Sequence, residues 1–85
     1  YPAYIVTSTL EGEARHAGTV IASIVQEIWR NDRPFKKPSI LIFGGETTVT
    51  ITGKAGKGGP NQELALSSAK KISKLRGCCI ASVDT

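Results

Sequence analysis

The residues with the clearest capacity for chemistry lie in the run Gly-Lys-Ala-Gly-Lys-Gly-Gly-Pro-Asn-Gln-Glu, from Gly53 to Glu63. Glycines at 53, 56, 58 and 59 let main-chain N–H groups come close to an anion, and Lys54 and Lys57 add positive charge. Pro60 suits the first position of a helix, where its missing N–H costs nothing and its fixed φ is already helical. The first turn of such a helix has N–H groups without intrahelical partners and carries partial positive charge. Loop and helix start together make a candidate anion site. A solvated connection that binds nothing has the same composition, and the residue types alone leave both readings open. The spacing fits neither a Walker A loop nor the dinucleotide pattern G-x-G-x-x-G.

Asn61, Gln62 and Glu63 crowd the first turn after this loop. Asn and Glu are favoured there for helix chemistry alone, and the same polar run could orient a hydroxyl- or carboxylate-bearing substrate. Glu46 follows Gly44-Gly45 and is either a turn residue or a second polar contributor. Asp84 stands at the end of an apolar run, where a carboxylate could hold a metal or accept a proton. His16 falls on a helix flank and reads as structural or solvated rather than catalytic. Cys78 and Cys79 are adjacent and too few for a metal cage, so they read as reduced, buried thiols.

These residues need a scaffold, and the hydrophobic pattern supplies one. Tyr4–Leu10 is rich in β-branched residues and predicts a strand. Ala14, Ala17, Ile21, Ile24, Val25 and Ile28 recur at three- and four-residue spacing and predict a helix from Glu13 to Arg30, with Glu11 and Glu13 near its positive end. Asn31-Asp32-Arg33-Pro34 ends it. Ser39–Phe43 is a nearly continuous apolar strand, which completes a right-handed βαβ unit. Gly44-Gly45-Glu46 predicts a turn into an antiparallel strand over residues 47–52. A second helix is expected from Pro60 to Arg76, with Leu66, Ala69, Ile72 and Leu75 inward, and Gly77 stops it. Cys78–Val83 predicts the last strand. The expected class is α/β, with a mixed, mostly parallel sheet, a βαβ unit, a hairpin strand and two main helices. Ligands of such open sheets gather beyond the carboxyl ends of the strands, where Glu46 and Asp84 fall.

Size and composition narrow the classes. The 85 residues make one domain, near the lower end of what builds its own core, and 40% apolar with 21% charged residues is ordinary for a globular chain. No run approaches a membrane span and no secretory signal precedes the first strand. A net charge of +4 is spread over helices, linker and loop, and none of the five aromatics lies among the loop lysines, which argues against nucleic acid. The chain starts at Tyr1 and contains no Met, and it is read as a piece of a longer protein.

Three motifs carry more than composition. Thr7-Ser8-Thr9-Leu10-Glu11-Gly12-Glu13-Ala14-Arg15, Gly44-Gly45-Glu46-Thr47-Thr48-Val49 and Gly56-Lys57-Gly58-Gly59-Pro60-Asn61-Gln62-Glu63-Leu64-Ala65-Leu66 occur in that order. Together they resemble the C-terminal MOFRL domain of the glycerate 2-kinase family, members of which were often labelled hydroxypyruvate reductases. The resemblance spans nearly the whole chain. It implies a cytoplasmic enzyme that uses ATP and Mg²⁺ to phosphorylate the 2-hydroxyl of D-glycerate. It further implies a larger N-terminal kinase domain as partner, with the site in the cleft between domains, so that residues 1–85 alone are expected to be inactive. Carried over by motif, the substrate contacts are Glu46, Gly58, Gly59, Asn61, Gln62 and Glu63, with Asp84 a further candidate. Catalytic groups and most nucleotide contacts are expected in the other domain. The family pattern reads Gly-Gly-Arg-Asn-Gln-Glu where this chain has Pro60. An arginine would clamp an anion with its planar fork, so Lys57 and the main-chain amides must take that load or the substrate preference differs. A second reading is a non-catalytic folding or oligomerisation module, which includes a homo-oligomer. An oxidoreductase role rests on the older label alone, with no dinucleotide fingerprint behind it.

Overall fold

The computed structural model describes residues 1–49 and 59–83. Its elements run β1 (Ala3–Leu10), α1 (Ala14–Asn31), β2 (Ile40–Gly45) and α2 (Pro60–Ile72). β1 and β2 pair in parallel across the α1 crossover, with Ala3 opposite Ile40, Tyr4 opposite Leu41 and Ile5 opposite Ile42. The expected α/β class, its βαβ unit and its two helices are therefore present. Beyond Ile5 the register slips. Thr7 faces Phe43 and Leu10 faces Gly45, so β1 uses more residues than β2 over the same length.

The continuation past β2 differs from the predicted hairpin. The Glu46 N–H donates to the Leu10 carbonyl oxygen (2.8 Å), the Thr48 N–H to that of Gly12 (2.8 Å), and the Ala14 N–H back to Thr48 (2.8 Å). Glu13 and Thr48 thus form a parallel bridge, and the chain continues forward beside β1 instead of turning back. Gly45 serves another purpose. A Cβ on Gly45 would overlap the Leu10 backbone, and its φ of 141° suits glycine alone. Gly45 permits close approach, whereas a Cβ on Gly44 would make only ordinary contacts with Ser8 and Thr7. The rest of the predicted antiparallel strand, residues 50–52, lies outside the described residues.

α1 buries Ala14, Ala17, Gly18, Ile21, Ala22 and Ile28, while Ile24 and Val25 are half-buried. This is the expected stripe, enriched in small residues. Its end is well tied. Asp32 adopts the left-handed conformation at φ 53°, and its N–H donates to the Ile28 carbonyl oxygen (3.0 Å). Lys37 lays its ammonium on the Trp29 carbonyl oxygen (2.9 Å) and on the Asp32 carboxylate (2.9 Å), which suits the negative end of a helix. Tyr4 stacks on Phe35 at 4.3 Å, pinning the connection to β1.

α2 packs against α1. It ends at Ile72, four residues before the predicted Arg76, and the chain then turns to Gly77, whose φ is 75°. Its inward face also differs from expectation. Leu64, Ser68 and Ile72 are buried, whereas Leu66 is 59% exposed and Ala69 is exposed. Ala14, Ala17, Ile21 and Leu64 form the core, with Leu10, Phe43, Val49 and Ile80 packed on it. Burying one leucine- or isoleucine-sized side chain is worth about 1.5–3 kcal/mol, so this cluster fixes the helix pair on the strands. Residues 78–83 were predicted as a strand and form no ladder with any described residue. Trp29 and Gln26 hold the turn before them, donating to the carbonyl oxygens of Arg76 (3.1 Å) and Lys71 (3.0 Å).

Candidate functional site

An open hollow of about 1750 Å³ lies between the strands, the helices and the segment that follows α2. Its lining includes Gly45, Glu46, Gly59, Asn61, Gln62 and Ser82. All three sequence motifs therefore contribute to this one lining, the first of them through Leu10. Glu46 is brought there by the forward run of the chain after β2, and its side chain is exposed. Gly59 is the N-cap of α2 in an extended conformation, with no side-chain cap. The first intrahelical bond runs from the Glu63 N–H to the Gly59 carbonyl oxygen (3.1 Å). The N–H groups of Asn61 and Gln62 precede that bond, and Pro60 has none to offer. The helix start thus presents donors and partial positive charge toward the hollow.

Asn61 is half-buried, and its carboxamide oxygen accepts a hydrogen bond from the Ser82 hydroxyl. That bond engages the oxygen, so the amide NH₂ is the end with donors to offer. Gln62 is exposed, and Glu63 is half-buried and is not among the residues bordering the hollow. Lys57, Gly58 and Asp84, together with the rest of the Gly-rich loop, lie outside the described residues. His16 is exposed on α1, away from the hollow.

Two residues of this lining were not singled out from sequence. Ser82 is the only polar residue in the run Ile80–Val83, and that interruption was the available signal. Gly45 was read as a turn former, although a paired glycine equally marks a close backbone approach.

The two cysteines also line the hollow. Cys78 and Cys79 are free thiols, as expected, but Cys78 is half-buried and Cys79 exposed, so the expected burial is not met. Burial pushes the Cys78 thiol up, the neighbouring Cys79 adds to this, and Lys37 pulls the other way. Among the described residues no group of three or more His, Cys, Asp or Glu side chains is placed to hold a metal ion. Among them, too, no helix is long and apolar enough to cross a membrane.

Comparison with known proteins gives the arrangement a context. Residues 39–85 match the MOFRL family. The chain is 63% identical over 81 residues to the glycerate 2-kinase of Pyrococcus horikoshii, covering 95% of this chain and 18% of that protein. It is 51% identical over 85 residues to the D-glycerate 2-kinase of Thermotoga maritima, covering all of this chain and 20% of that protein. The crystal structure of a glycerate kinase from Thermotoga maritima superposes with a TM-score of 0.86 at 53% identity, over 91% of this chain and 18% of that one. The chain therefore spans about a fifth of the relatives it matches.

Proposed function

From the premise that the chain belongs to the MOFRL family, we propose that it is part of a glycerate 2-kinase, where it forms the C-terminal portion of a two-domain enzyme. In this reading the protein transfers phosphate from ATP to the 2-hydroxyl of D-glycerate, and the present residues take the substrate side. The observation that carries it is the meeting of Gly45–Glu46 with Gly59–Gln62 around one hollow, in a chain whose relatives bear that name.

Phosphoryl transfer depends on positioning and on neutralising charge. The amides of Asn61 and Gln62, with Lys57, Gly58 and Gly59, receive the carboxylate or a phosphate oxygen. Asn61 turns its NH₂ to the substrate because Ser82 holds its oxygen. Glu46 accepts from a substrate hydroxyl or braces the loop, and Glu63 and Asp84 are further candidates for substrate contact. Mg²⁺ accompanies ATP in this reaction, and the described residues provide no cluster that fits it. Their part is binding and orientation.

The test is a kinase assay with D-glycerate and ATP on the full-length protein, comparing Lys57→Ala and Asn61→Ala with wild type. A lost hydrogen bond to a charged group costs about 1.5–3 kcal/mol, so kcat/KM for glycerate falls about 10- to 100-fold in each. Unchanged kcat/KM in both variants removes the loop and helix start from the mechanism.

A further inference from the structure

The two-stranded sheet has two faces, and only one meets the helices. Leu41 and Phe43 of β2 are half-buried, and Phe43 packs on the core with Leu10. Ile40 and Ile42, which alternate with them, are 46% and 47% exposed. Ile5, opposite Ile42, is 75% exposed, and Ala3, opposite Ile40, is exposed too. Residues paired across a ladder share a face, so these four side chains form one continuous apolar patch.

Single exposed apolar residues are normal, but a contiguous patch on a parallel ladder is not, because such sheets are covered on both faces by helices. The occupant follows from two observations. α2 packs on α1, and the segment after it reaches the core through Ile80, so residues 59–83 sit with the helices. In the Thermotoga maritima crystal structure the same fold makes up under a fifth of a single chain. Most of such a polypeptide is available to cover the bare face.

We propose that the face formed by Ala3, Ile5, Ile40 and Ile42 is an intramolecular docking face, covered by an amphipathic helix of the same polypeptide from outside residues 1–85. The covering helix presents an apolar stripe at three- and four-residue spacing, matched to the isoleucines. This requires only that the chain be carried in a longer protein and stands apart from the kinase reading.

Cysteine accessibility in the full-length protein tests it. Ile42→Cys and Ile5→Cys are each treated with a maleimide, and labelling is followed by peptide mass spectrometry, which separates them from Cys78 and Cys79. Native protein labels at least about tenfold more slowly at both positions than protein in denaturant. Equal rates in either variant with a native circular dichroism spectrum overturn the proposal. Protection that disappears on dilution also overturns it, because a second copy is then the cover.

Discussion

The Ser68 hydroxyl lies 3.0 Å from the Gly18 carbonyl oxygen on α1 and 2.8 Å from the Leu64 carbonyl oxygen one turn back on its own helix. One hydroxyl hydrogen serves both acceptors in a fully buried position. Gly18 faces it with no side chain, and a Cβ there would run into the Leu64 carbonyl oxygen and the Ser67 hydroxyl. The helix crossing is as close as it is because one partner is a glycine and the other a small residue that satisfies its own polar atom.

Gly18→Ala should therefore destabilise, although alanine is the better helix former by about 1 kcal/mol. The obstacle is main-chain oxygen, which no rotamer change removes, and overpacking of this kind costs about 1–3 kcal/mol or more. Ser68→Ala leaves the crossing intact and loses a buried hydrogen bond, for about 0.5–1.5 kcal/mol. Denaturant titration of both variants checks the order. A Gly18→Ala protein as stable as wild type would mean the helices are not in contact at this point.

Acid should loosen the exit of α1. The Lys37 N–H and then its ammonium hold the Asp32 carboxyl below its ordinary value, with Lys36 adding to the effect. Arg33 and then Asn31 do the same for Glu27. A carboxyl depressed in the folded state contributes stability above its unfolded pKa and loses it as pH falls through the folded value. Asp32→Asn should unfold at a lower temperature than wild type at neutral pH, with the gap closing as the pH falls through the lowered Asp32 value. Asparagine tolerates the left-handed backbone, so the comparison isolates charge. A gap that persists in acid would assign the effect to geometry.

Gly45→Ala should separate the strands at their carboxyl ends. An added methyl meets the Leu10 main chain, and alanine at φ 141° is strained in any surroundings. The expected loss is about 1–3 kcal/mol, with faster amide exchange at Glu46 and Thr48, whose N–H groups bond to Leu10 and Gly12. Exchange at these two amides that matches wild type would show that the close approach carries no weight.

Periodicity made α1 legible, since Ala14, Ala17, Ile21 and Ile28 repeat at helical spacing and are buried. The same rule misplaced α2. Its inward face is Leu64, Ser68 and Ile72, and a serine at the centre of a stripe does not register as core. Gly18, on the same buried stripe as Ala14, Ala17 and Ala22, was the clue, because small residues on one helix announce a close neighbour. Gly44-Gly45 was read as a reversal, when Gly45 relieves crowding against Leu10. Of the candidate site, the sequence named part of the lining. Glu46 and Asn61 do border one hollow, but Ser82, which orients Asn61, comes from a segment whose apolar residues looked like strand and nothing more.

Between Ile5 and Leu10 the first strand advances five residues while its partner advances three, from Ile42 to Gly45. The surplus makes Val6–Thr9 a place where an insertion or deletion can be absorbed by reshaping a bulge. β2 has no such slack. Adding one residue there would swing Phe43 out of the core and Ile42 into it, so evolution has room to change length on one side of this ladder only.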